Sequence, residues 1–252
     1  VEVATFRTDG EYADGRRPTH VEFCTPEMDA QRRDFTINGM FYDPVDSRVL
    51  DFVGGERDLA AGVIRAIGDP HARMTEDKLR MLRAVRFTAT LDFQLDPITA
   101  DAIRSMADEL SVVSAERIAQ ELHKMLVDRH RRRAVELCQE VGLLSVFLPE
   151  IAPSSVPATA FDNSLRMLCL LEGPSYPLAF AALLHGLPSE LVQGICRRLR
   201  LSNDETDRTT WLVQHQDRLR DAPSQSLAQL KRLPAHPRRN ELLALFRVHL
   251  LA

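Results

Sequence analysis

The spacing of apolar residues changes near residue 71, and this change constrains the fold more than any other feature of the 252-residue chain. Before it, the segments VEVATFR, HVEFC, SRVLDFV and GVIRAI are short and apolar or alternate between apolar and polar, which is typical of strands. After it, apolar side chains recur every three or four residues, as in TEDKLRMLRAVRFTATL, which predicts a helix. Strands followed by helices indicate the α+β class. We expect strands only in residues 1–70 and helices in residues 71–252.

Start signals and connectors divide the chain further. The pair Thr25-Pro26 is a typical helix start, and we expect the whole segment TPEMDAQRRDFTINGM to be helical. Asp96-Pro97 marks another helix start. A Pro-, Ser- and Ala-rich stretch at residues 152–160 predicts a connector. The predicted domains are residues 1–70, residues 71–150 and residues 151–252.

Charge, cysteines and hydropathy exclude several classes of protein. A net charge of −4 argues against a globally basic nucleic-acid binder, although it allows a local basic patch. The four cysteines lack metal-ligand spacing, which favours reduced thiols and a cytoplasmic protein. No apolar run reaches membrane-span length, so we expect no membrane partner. The oligomeric state is left open. Because the chain starts with a strand-like stretch at Val1, we expect it to be a fragment.

Two arginine-bearing segments carry candidate chemistry. In RRDFTINGM, Arg32 and Arg33 stand beside the apolar Phe35 and Ile37, a pattern that suits an anion site on a rigid anchor. In EDKLRMLRAVR, one aspartate and three arginines recur every third residue, so on one continuous helix they would share a face. A solvated face of ion pairs explains such a charge run equally simply.

An aspartate paired with an arginine can also read a nucleobase. The carboxylate accepts from an exocyclic amine, and the guanidinium donates to a ring nitrogen or carbonyl. Cytosine and adenine both present an amine next to an unprotonated ring nitrogen, whereas guanine and uracil present a carbonyl next to an N–H. One Asp–Arg pair can therefore accept the first two bases and refuse the others.

Five segments together resemble the bacterial class II tRNA nucleotidyltransferase and poly(A) polymerase family. In order they are VEVATFR…DGEYADGRRP, RRDFTINGM, DFVGGERDLAAGVIRAIGDP, EDKLRMLRAVRF and SAERIAQELHKML, within residues 1–126. The resemblance implies the remnant of a nucleotidyltransferase sheet domain followed by an all-α neck and body. It implies template-independent addition of nucleotides to RNA 3′ ends. CCA addition to tRNA from CTP and ATP is favoured, poly(A) addition is the near alternative, and another RNA 3′ end is a possible partner.

The same resemblance assigns roles to individual residues. The nucleotide-binding set that it implies is Arg32, Arg33, Asp34, Asn38, Glu76, Asp77, Arg80, Arg83 and Arg86. Within it, Arg33 would contact the triphosphate, Asp77 and Arg80 would read the base, and Glu76 would orient Arg80. Asp58 would brace a hinge. A salt bridge from Arg33 to a nearby acid is the competing interpretation.

The family's metal-binding signature is absent from this sequence. Two-metal catalysis in the family uses a pair of aspartates after a Gly-Ser turn, and the chain has no such Asp-x-Asp. The resemblance implies Mg²⁺ in the complete enzyme, but we expect no metal pair here and no RNA extension by this chain alone. Glu2 is the candidate catalytic carboxylate, or else a solvent-facing strand residue. A non-catalytic nucleotide- or RNA-binding homologue is the competing function.

Two later segments leave their roles open. DRHRRR holds Arg129, Arg131, Arg132 and Arg133, which could follow an RNA backbone or form a solvated helix face. AFAALLHGLP resembles the core of HD-type metal phosphohydrolases, but Gly186 stands where the aspartate would be. One histidine makes no metal site, so His185 is expected to be a packed core residue.

Overall fold

The computed structural model describes residues 5–9, 21–220 and 236–252, and the chain forms two compact units. The first unit comprises residues 1–113 and 140–146, and the second comprises residues 114–139 and 147–252. All strands in the described ranges belong to the first unit, which confirms the α+β class. These two units are defined by packing within the chain, and they do not test the three domains predicted above, which stay a prediction.

Two helices of the first unit begin at the residues that the start signals Thr25-Pro26 and Asp96-Pro97 indicate. Within residues 21–113 the helices are α1 (Pro26–Gln31), α2 (Gly55–Ala61), α3 (Pro70–Glu76), α4 (Leu79–Thr90) and α5 (Pro97–Met106). The Thr25 hydroxyl accepts from the Met28 N–H at 3.4 Å, and the Asp96 carboxylate accepts from the Thr99 N–H at 3.0 Å. These contacts satisfy N–H groups that a helix start leaves open. The helix predicted over TPEMDAQRRDFTINGM is wrong beyond α1, because the chain leaves it at Arg32 and makes only a short 3₁₀ turn at Thr36–Asn38.

Short strand pairs supply the β-structure. β1 (Arg7–Asp9) pairs with β2 (Val21–Phe23) and β3 (Phe41–Asp43) with β4 (Arg48–Leu50), both antiparallel, while β5 (Val63–Ile64) pairs in parallel with β6 (Gln94–Leu95). The sequence did not indicate β3. The first strand was predicted over the opening seven residues, yet β1 starts only at Arg7, and residues 1–4 lie outside the described part.

The prediction that strands end before residue 71 is wrong at β6. After α4 the backbone turns at Asp92, whose φ is 56°, and comes back beside β5. The Gln94 N–H donates to the Gly62 carbonyl at 2.8 Å, and the Asp96 N–H donates to the Ile64 carbonyl at 2.9 Å. Two residues are too few to show an alternating pattern in sequence. The pairing of β5 with β6 depends on tertiary contacts, and it therefore left no recognisable pattern in the sequence.

The described part of the chain beyond α5 is helical, apart from the connecting turns. Its helices are α6 (Ala115–Val127), α7 (Arg131–Glu140), α8 (Leu144–Phe147), α9 (Ala158–Leu170), α10 (Tyr176–Leu183), α11 (Ser189–Arg198), α12 (Asn203–His215) and α13 (Arg239–Leu251). All residues of α10 are buried, because α6, α9, α12 and α13 pack around it and form the core of the second unit. In the described ranges, no helix has both the length and the apolar character that crossing a membrane requires.

Candidate functional site

One cavity in the first unit collects most of the residues singled out in the sequence. It has a volume of about 510 Å³ and is lined by Arg32, Arg33, Asp34, Asn38, Asp77, Arg80, Arg83 and Phe87. We call it the arginine cavity. Four arginines outnumber two aspartates along its wall, which suits a phosphate-bearing ligand. Small-molecule and cofactor sites typically measure about 300–1,000 Å³.

The segment that carries Arg32 and Arg33 is anchored to the core by Phe35. This ring is fully buried and packs edge-on against Phe87, with 5.9 Å between the ring centroids. The Thr36 N–H donates to the Arg65 carbonyl at 3.0 Å, and the Ile67 N–H donates to the Asp34 carbonyl at 3.1 Å. The predicted anchor is therefore confirmed for Phe35. Ile37 is only half-buried.

Asp29, in α1, forms ion pairs with both Arg32 and Arg33. Its carboxylate lies 2.5 Å from a guanidinium nitrogen of Arg32 and 3.0 Å from one of Arg33. Arg33 also donates to the Asn38 carbonyl at 2.8 Å, and its guanidinium lies 4.5 Å from the centre of the Phe41 ring. The salt bridge weighed above for Arg33 is present, but Arg33 lines the arginine cavity as well. The ion pair with Asp29 thus fixes the direction of the Arg33 guanidinium, which still faces the arginine cavity.

The pKa of Asp29 predicts how the first unit responds to acid. Burial alone would raise that pKa, but hydrogen bonds from Arg32, the Arg7 N–H and Arg33 outweigh it and lower the pKa below 3.8. A lowered pKa adds stability that is complete above 3.8 and lost as the pH falls through the folded-state value. We expect Asp29→Asn to lower the free energy of unfolding by about 2 kcal/mol at neutral pH. The gap between wild type and variant should shrink as the pH falls below that value.

Urea unfolding followed by circular dichroism over a series of pH values measures this gap. Asp101→Asn is the matched control, because that aspartate pairs with Arg104 while remaining 74% exposed. Its effect should be small at every pH. A gap for Asp29→Asn that stays constant into the acid range would contradict the argument.

The second arginine-bearing segment is not one helix. α3 ends at Glu76, and Asp77 has an extended backbone with φ −149° and ψ 106°. Its carboxylate accepts from the Leu79 N–H at 3.0 Å, so it caps α4. The prediction that Asp77 and Arg80 share a face of one continuous helix is therefore wrong. Both residues still line the arginine cavity.

Arg80 is held in place from three directions. Its guanidinium donates to the Arg73 carbonyl at 2.9 Å and to the Arg32 carbonyl at 3.0 Å, and it pairs with Glu76. The residue is 8% exposed. The contact by which Glu76 would orient Arg80 is thus present, although Glu76 itself does not line the arginine cavity. A side chain fixed in this way is preorganised for its ligand.

Asp34 and Arg83 form an ion pair in the wall of the arginine cavity, and both donating nitrogens of Arg83 contact the same Asp34 oxygen. The Arg83 Nε and Nη2 lie 2.7 and 2.5 Å from one Asp34 oxygen, and the other oxygen accepts from the Phe35 N–H and the Asn38 amide. Arg83 and Arg86 lie over the Phe87 ring, at 5.3 and 4.0 Å from its centre. Phe87 lines the cavity but was not predicted, whereas Arg86 was predicted and does not line it. Phe87 follows Arg83 by four residues, but this helical spacing does not distinguish a ring at the cavity wall from an ordinary core residue.

Two aspartates, one in the turn before α2 and one within α2, stabilise the part of the first unit next to the arginine segment, by which we mean residues 32–40 (RRDFTINGM). Asp51 accepts from the backbone N–H groups of residues 53–56 at 2.9–3.0 Å. Burial raises its pKa, but these four bonds outweigh burial and lower it. Asp58, buried in α2, accepts from the Thr36 hydroxyl at 2.9 Å and from Arg65 at 3.0 Å. Asp58 therefore contacts the segment that carries Arg32 and Arg33 directly, and its role in a hinge stays a prediction.

Gly55 allows α2 to approach the arginine segment closely. A Cβ atom added there would lie 2.4 Å from the Thr36 carbonyl oxygen and 2.6 Å from the Met40 Cγ. We expect Gly55→Ala to lower the free energy of unfolding by about 2 kcal/mol, because a backbone oxygen cannot move aside cheaply. Gly194→Ala is the matched control, since nothing lies within 4 Å of its Cβ in α11. It should raise stability by about 0.5–1 kcal/mol. Urea unfolding measures the free energy of unfolding of both variants. If Gly55→Ala is as stable as the wild type, the argument that a Cβ atom at residue 55 clashes with the Thr36 carbonyl is wrong.

The arginines of DRHRRR divide into one buried residue and three exposed ones. Arg131 is 4% exposed and donates to the carbonyls of Leu126, Leu168 and Leu171 at 3.0, 3.3 and 2.8 Å. Its burial excludes it as an RNA contact, so that part of the prediction is wrong. The exposed set is Arg129, Arg132 and Arg133. For these three, RNA contact stays a prediction.

His185 packs beside a second histidine. The centres of the His185 and His249 rings are 5.3 Å apart, and the His185 Nδ1 lies 3.3 Å from the Ser164 hydroxyl. Burial, and then the neighbouring His249, lower the pKa of His185, which favours the neutral ring. The packed position is confirmed, but the side chain is half-buried.

Two predicted features fall outside the described part of the chain. They are Glu2 and residues 10–18 of the segment DGEYADGRRP. Within the described residues, no three His, Cys, Asp or Glu side chains lie close enough to hold a metal ion. The Asp34 carboxylate of the arginine cavity is already shared between Arg83 and Asn38. These residues do not fit a metal pair, and no chemical step through a metal follows from them.

Two family models match the chain. The poly A polymerase head domain matches residues 1–65, and the probable RNA and SrmB-binding site of polymerase A matches residues 92–154. The arginine segment lies in the first of these ranges.

Curated relatives are similar to most of the chain. The CCA-adding enzyme of Lactobacillus helveticus is 36% identical over 221 residues, which cover 87% of this chain and 54% of that enzyme. The CCA-adding enzyme of Bacillus subtilis is 48% identical over 136 residues, 54% of this chain and 34% of that enzyme. The chain spans about half or less of the length of these relatives.

A solved structure has the same fold. The crystal structure of the Bacillus stearothermophilus CCA-adding enzyme in complex with CTP aligns with a TM-score of 0.80 and 28% identity. The alignment covers 98% of this chain and 59% of that one.

Proposed function

We propose that the chain is part of a nucleotidyltransferase of the family that contains the CCA-adding enzymes and poly(A) polymerases, and that its arginine cavity binds an incoming CTP or ATP. The observation that carries the proposal is the convergence of four guanidinium groups and Asp77 on one cavity of about 510 Å³. Cations suit the triphosphate, and the Asp77–Arg80 pair suits the amine edge of the base. The CTP complex of the B. stearothermophilus relative supports the choice of ligand.

The proposed division of labour follows from how each side chain is held. Arg33 contacts the triphosphate, because its guanidinium is fixed by Asp29 at the cavity wall. Asp77 and Arg80 contact the base. Among the described residues the Arg80 Nε has no hydrogen-bond partner, so it is available as a donor to a ring nitrogen. Arg32, Asp34 and Asn38 contact the ribose or brace the site, and Arg83 orients the nucleotide.

The complete protein would use this site to extend RNA. The 3′-hydroxyl of the RNA attacks the α-phosphate, a new O–P bond forms, and the bond to the β-phosphate breaks so that pyrophosphate leaves. We propose tRNA as the RNA and CCA as the product, since the relatives named above are CCA-adding enzymes. The exposed Arg129, Arg132 and Arg133 are the proposed contacts to the RNA backbone. Magnesium is the metal that the resemblance implies for the complete enzyme.

Binding of nucleotides to the chain tests the proposal. Isothermal titration calorimetry with CTP, ATP, UTP and GTP should give tighter binding for the first two. Because the sequence lacks the paired aspartates, extension of a tRNA without its 3′ end is not expected from this chain. A folded chain that binds no CTP at millimolar concentrations would overturn the assignment.

Non-catalytic binding is the second candidate, and the missing aspartate pair supports it. The coding DNA upstream of Val1 separates the two. An open reading frame with a Gly-Ser turn and an Asp-x-Asp would exclude the non-catalytic alternative.

A further inference from the structure

The helix α13 is held at each end by a contact that contains histidine. At its start, the His236 ring stacks on Trp211 of α12 with 4.0 Å between the ring centres, and the His215 ring stacks on Trp211 at 4.5 Å. At its end, the centre of the His249 ring lies 5.3 Å from that of His185, which follows α10. We call Trp211, His215 and His236 the start contact, and His185 and His249 the end contact. Neither contact takes part in the function proposed above.

The start contact requires a neutral His236 ring. The His236 Nδ1 accepts from the Arg238 N–H at 3.2 Å. A protonated imidazole carries a hydrogen on both ring nitrogens and cannot accept. His215 is 9% exposed, and its Nδ1 donates to the Trp211 carbonyl at 2.8 Å. A further proton would therefore remove a hydrogen bond at His236 and place a charge in a buried position at His215.

The end contact requires a neutral His249 ring for the same reason. The Arg220 Nη2 lies 3.4 Å from the His249 Nε2, and because a guanidinium can only donate, this ring nitrogen accepts. The His249 Nδ1 is buried and has no partner among the described residues. The His185 Nδ1 donates to the Ala182 carbonyl at 3.2 Å. Protonation of His249 would turn a charged N–H toward Arg220, and protonation of both rings would place like charges 5.3 Å apart.

The charges around the two contacts disfavour protonation of the buried rings. Burial lowers the pKa of His215, the Trp211 carbonyl raises it, and Arg218 and His236 lower it further. Burial and then His249 lower the pKa of His185, and they outweigh the Ala182 carbonyl and Asp217, which raise it. The charged groups near the contacts, among the described residues, are Arg218, Arg238, Arg220 and Asp217.

Two other contacts of α13 contain no histidine. Arg208 of α12 pairs with Glu241 at 2.5 Å, and Arg166 of α9 donates to the Ala252 carbonyl at 3.1 Å. Their presence means that loss of the histidine contacts should weaken the packing of α13 by a measurable factor rather than unfold the second unit.

Linkage gives the direction and size of the effect. A histidine whose pKa is lowered in the folded state adds stability that is complete above 6.5 and lost as the pH falls through the folded-state value. At about pH 5.5, a ring that is neutral while α13 is packed and titrates at 6.5 when α13 is detached shifts the packing equilibrium by about tenfold. Two such rings shift it by up to about a hundredfold.

We propose that α13 is an acid-sensitive helix, whose packed position requires neutral rings in the start contact and the end contact, and that protonation in mildly acidic solution detaches it from α9, α10 and α12. Detachment uncovers α10, whose residues are all buried while α13 is packed. The second unit then presents an apolar surface that it covers at neutral pH. The proposal concerns the second unit alone and does not depend on CTP binding in the first.

Hydrogen exchange of the intact chain tests the proposal directly. Mass spectrometry follows exchange at about pH 7.5 and about pH 5.5, corrected for the intrinsic exchange rate at each pH. The protection of α13 should fall by about ten- to a hundredfold between the two conditions. The protection of α4, which contains no histidine, should change by less than about twofold. Equal protection of α13 at both pH values, or an equal loss in α4, would overturn the proposal.

The fluorescence of Trp211 gives an independent measurement. It is the single tryptophan of the chain and is half-buried in the start contact. Detachment of His236 opens the indole to water, so the emission should shift reversibly to longer wavelength as the pH falls, with a midpoint below 6.5. An emission maximum that stays constant over this range would contradict the separation of His236 from Trp211.

Single variants assign the effect to the histidines. His236→Gln and His249→Gln each supply a carboxamide oxygen that accepts in place of the ring nitrogen and does not titrate. Each should reduce the pH-dependent change in α13 protection by about threefold or more. His71→Gln is the matched control, because this exposed histidine belongs to the first unit and contacts the Ser105 hydroxyl at 3.1 Å. If both variants keep the wild-type change, or if His71→Gln reduces it equally, the assignment to the two contacts is wrong.

Discussion

Replacing Asp77 by alanine is expected to lower the ratio of the affinities for CTP and ATP to those for UTP and GTP by about ten- to a hundredfold. In the complex that we propose, the carboxylate accepts from the exocyclic amine that, at this edge, only cytosine and adenine present. Without it, binding of these two nucleotides weakens, and the mismatch that excludes the other two is relieved.

The same carboxylate also caps α4, so the experiment must separate the two roles. Asp77→Asn keeps an oxygen that can accept from the Leu79 N–H, as the Asp77 carboxylate does at 3.0 Å. It exchanges the other oxygen for an amide donor. We therefore expect Asp77→Asn to retain the free energy of unfolding of the wild type while losing the base preference.

Affinities for all four nucleotides, measured on the chain by calorimetry, give the ratio directly. The ratio of kcat/KM values in a complete enzyme that carries this segment is the second measurement. If Asp77→Ala and Asp77→Asn lower binding of all four nucleotides equally, Asp77 is a structural cap and the base-reading assignment is wrong.

Arg33→Ala is expected to weaken binding of all four nucleotides alike, by about thirtyfold or more. Phosphates carry no base identity, so the ratio between nucleotides should stay at its wild-type value. The side chain is 36% exposed although Asp29, Asn38 and Phe41 hold it, which leaves it open to a ligand while its direction is fixed.

Arg48→Ala is the matched control for this variant. Arg48 pairs with Asp46 at 3.2 Å, is 62% exposed and does not line the arginine cavity. Removing its charge should change the affinities little. If Arg33→Ala lowers only the stability of the chain and leaves CTP binding unchanged, the salt bridge to Asp29 is the whole role of Arg33.

Much of the candidate site could be predicted because its residues lie in two short segments. Seven of the nine predicted nucleotide-binding residues line the arginine cavity, and only Glu76 and Arg86 do not. Charge at regular spacing was the signal for the second segment, and it is a local property of the chain. Which of these residues read the base or hold the phosphates stays a prediction.

Other features gave no local signal. Arg131 looks like its exposed neighbours in sequence, yet Leu168 and Leu171, about forty residues later, supply the carbonyls that hold it inside. Phe87 could be taken for an ordinary core residue, because only the packing of Phe35 and Arg83 around it turns it toward the arginine cavity.

The sequence by itself determined the α+β class, the helix starts at Thr25 and Asp96, and the two segments that carry the site. These depend on periodicity and on hydrogen bonds between residues a few positions apart, which a linear pattern records. The tertiary structure alone decided the parallel pairing of β5 with β6 and the bond between Asp34 and Arg83, 49 residues apart. The physical reason is that these contacts join distant parts of the chain, and their free energy depends on packing that no short segment contains.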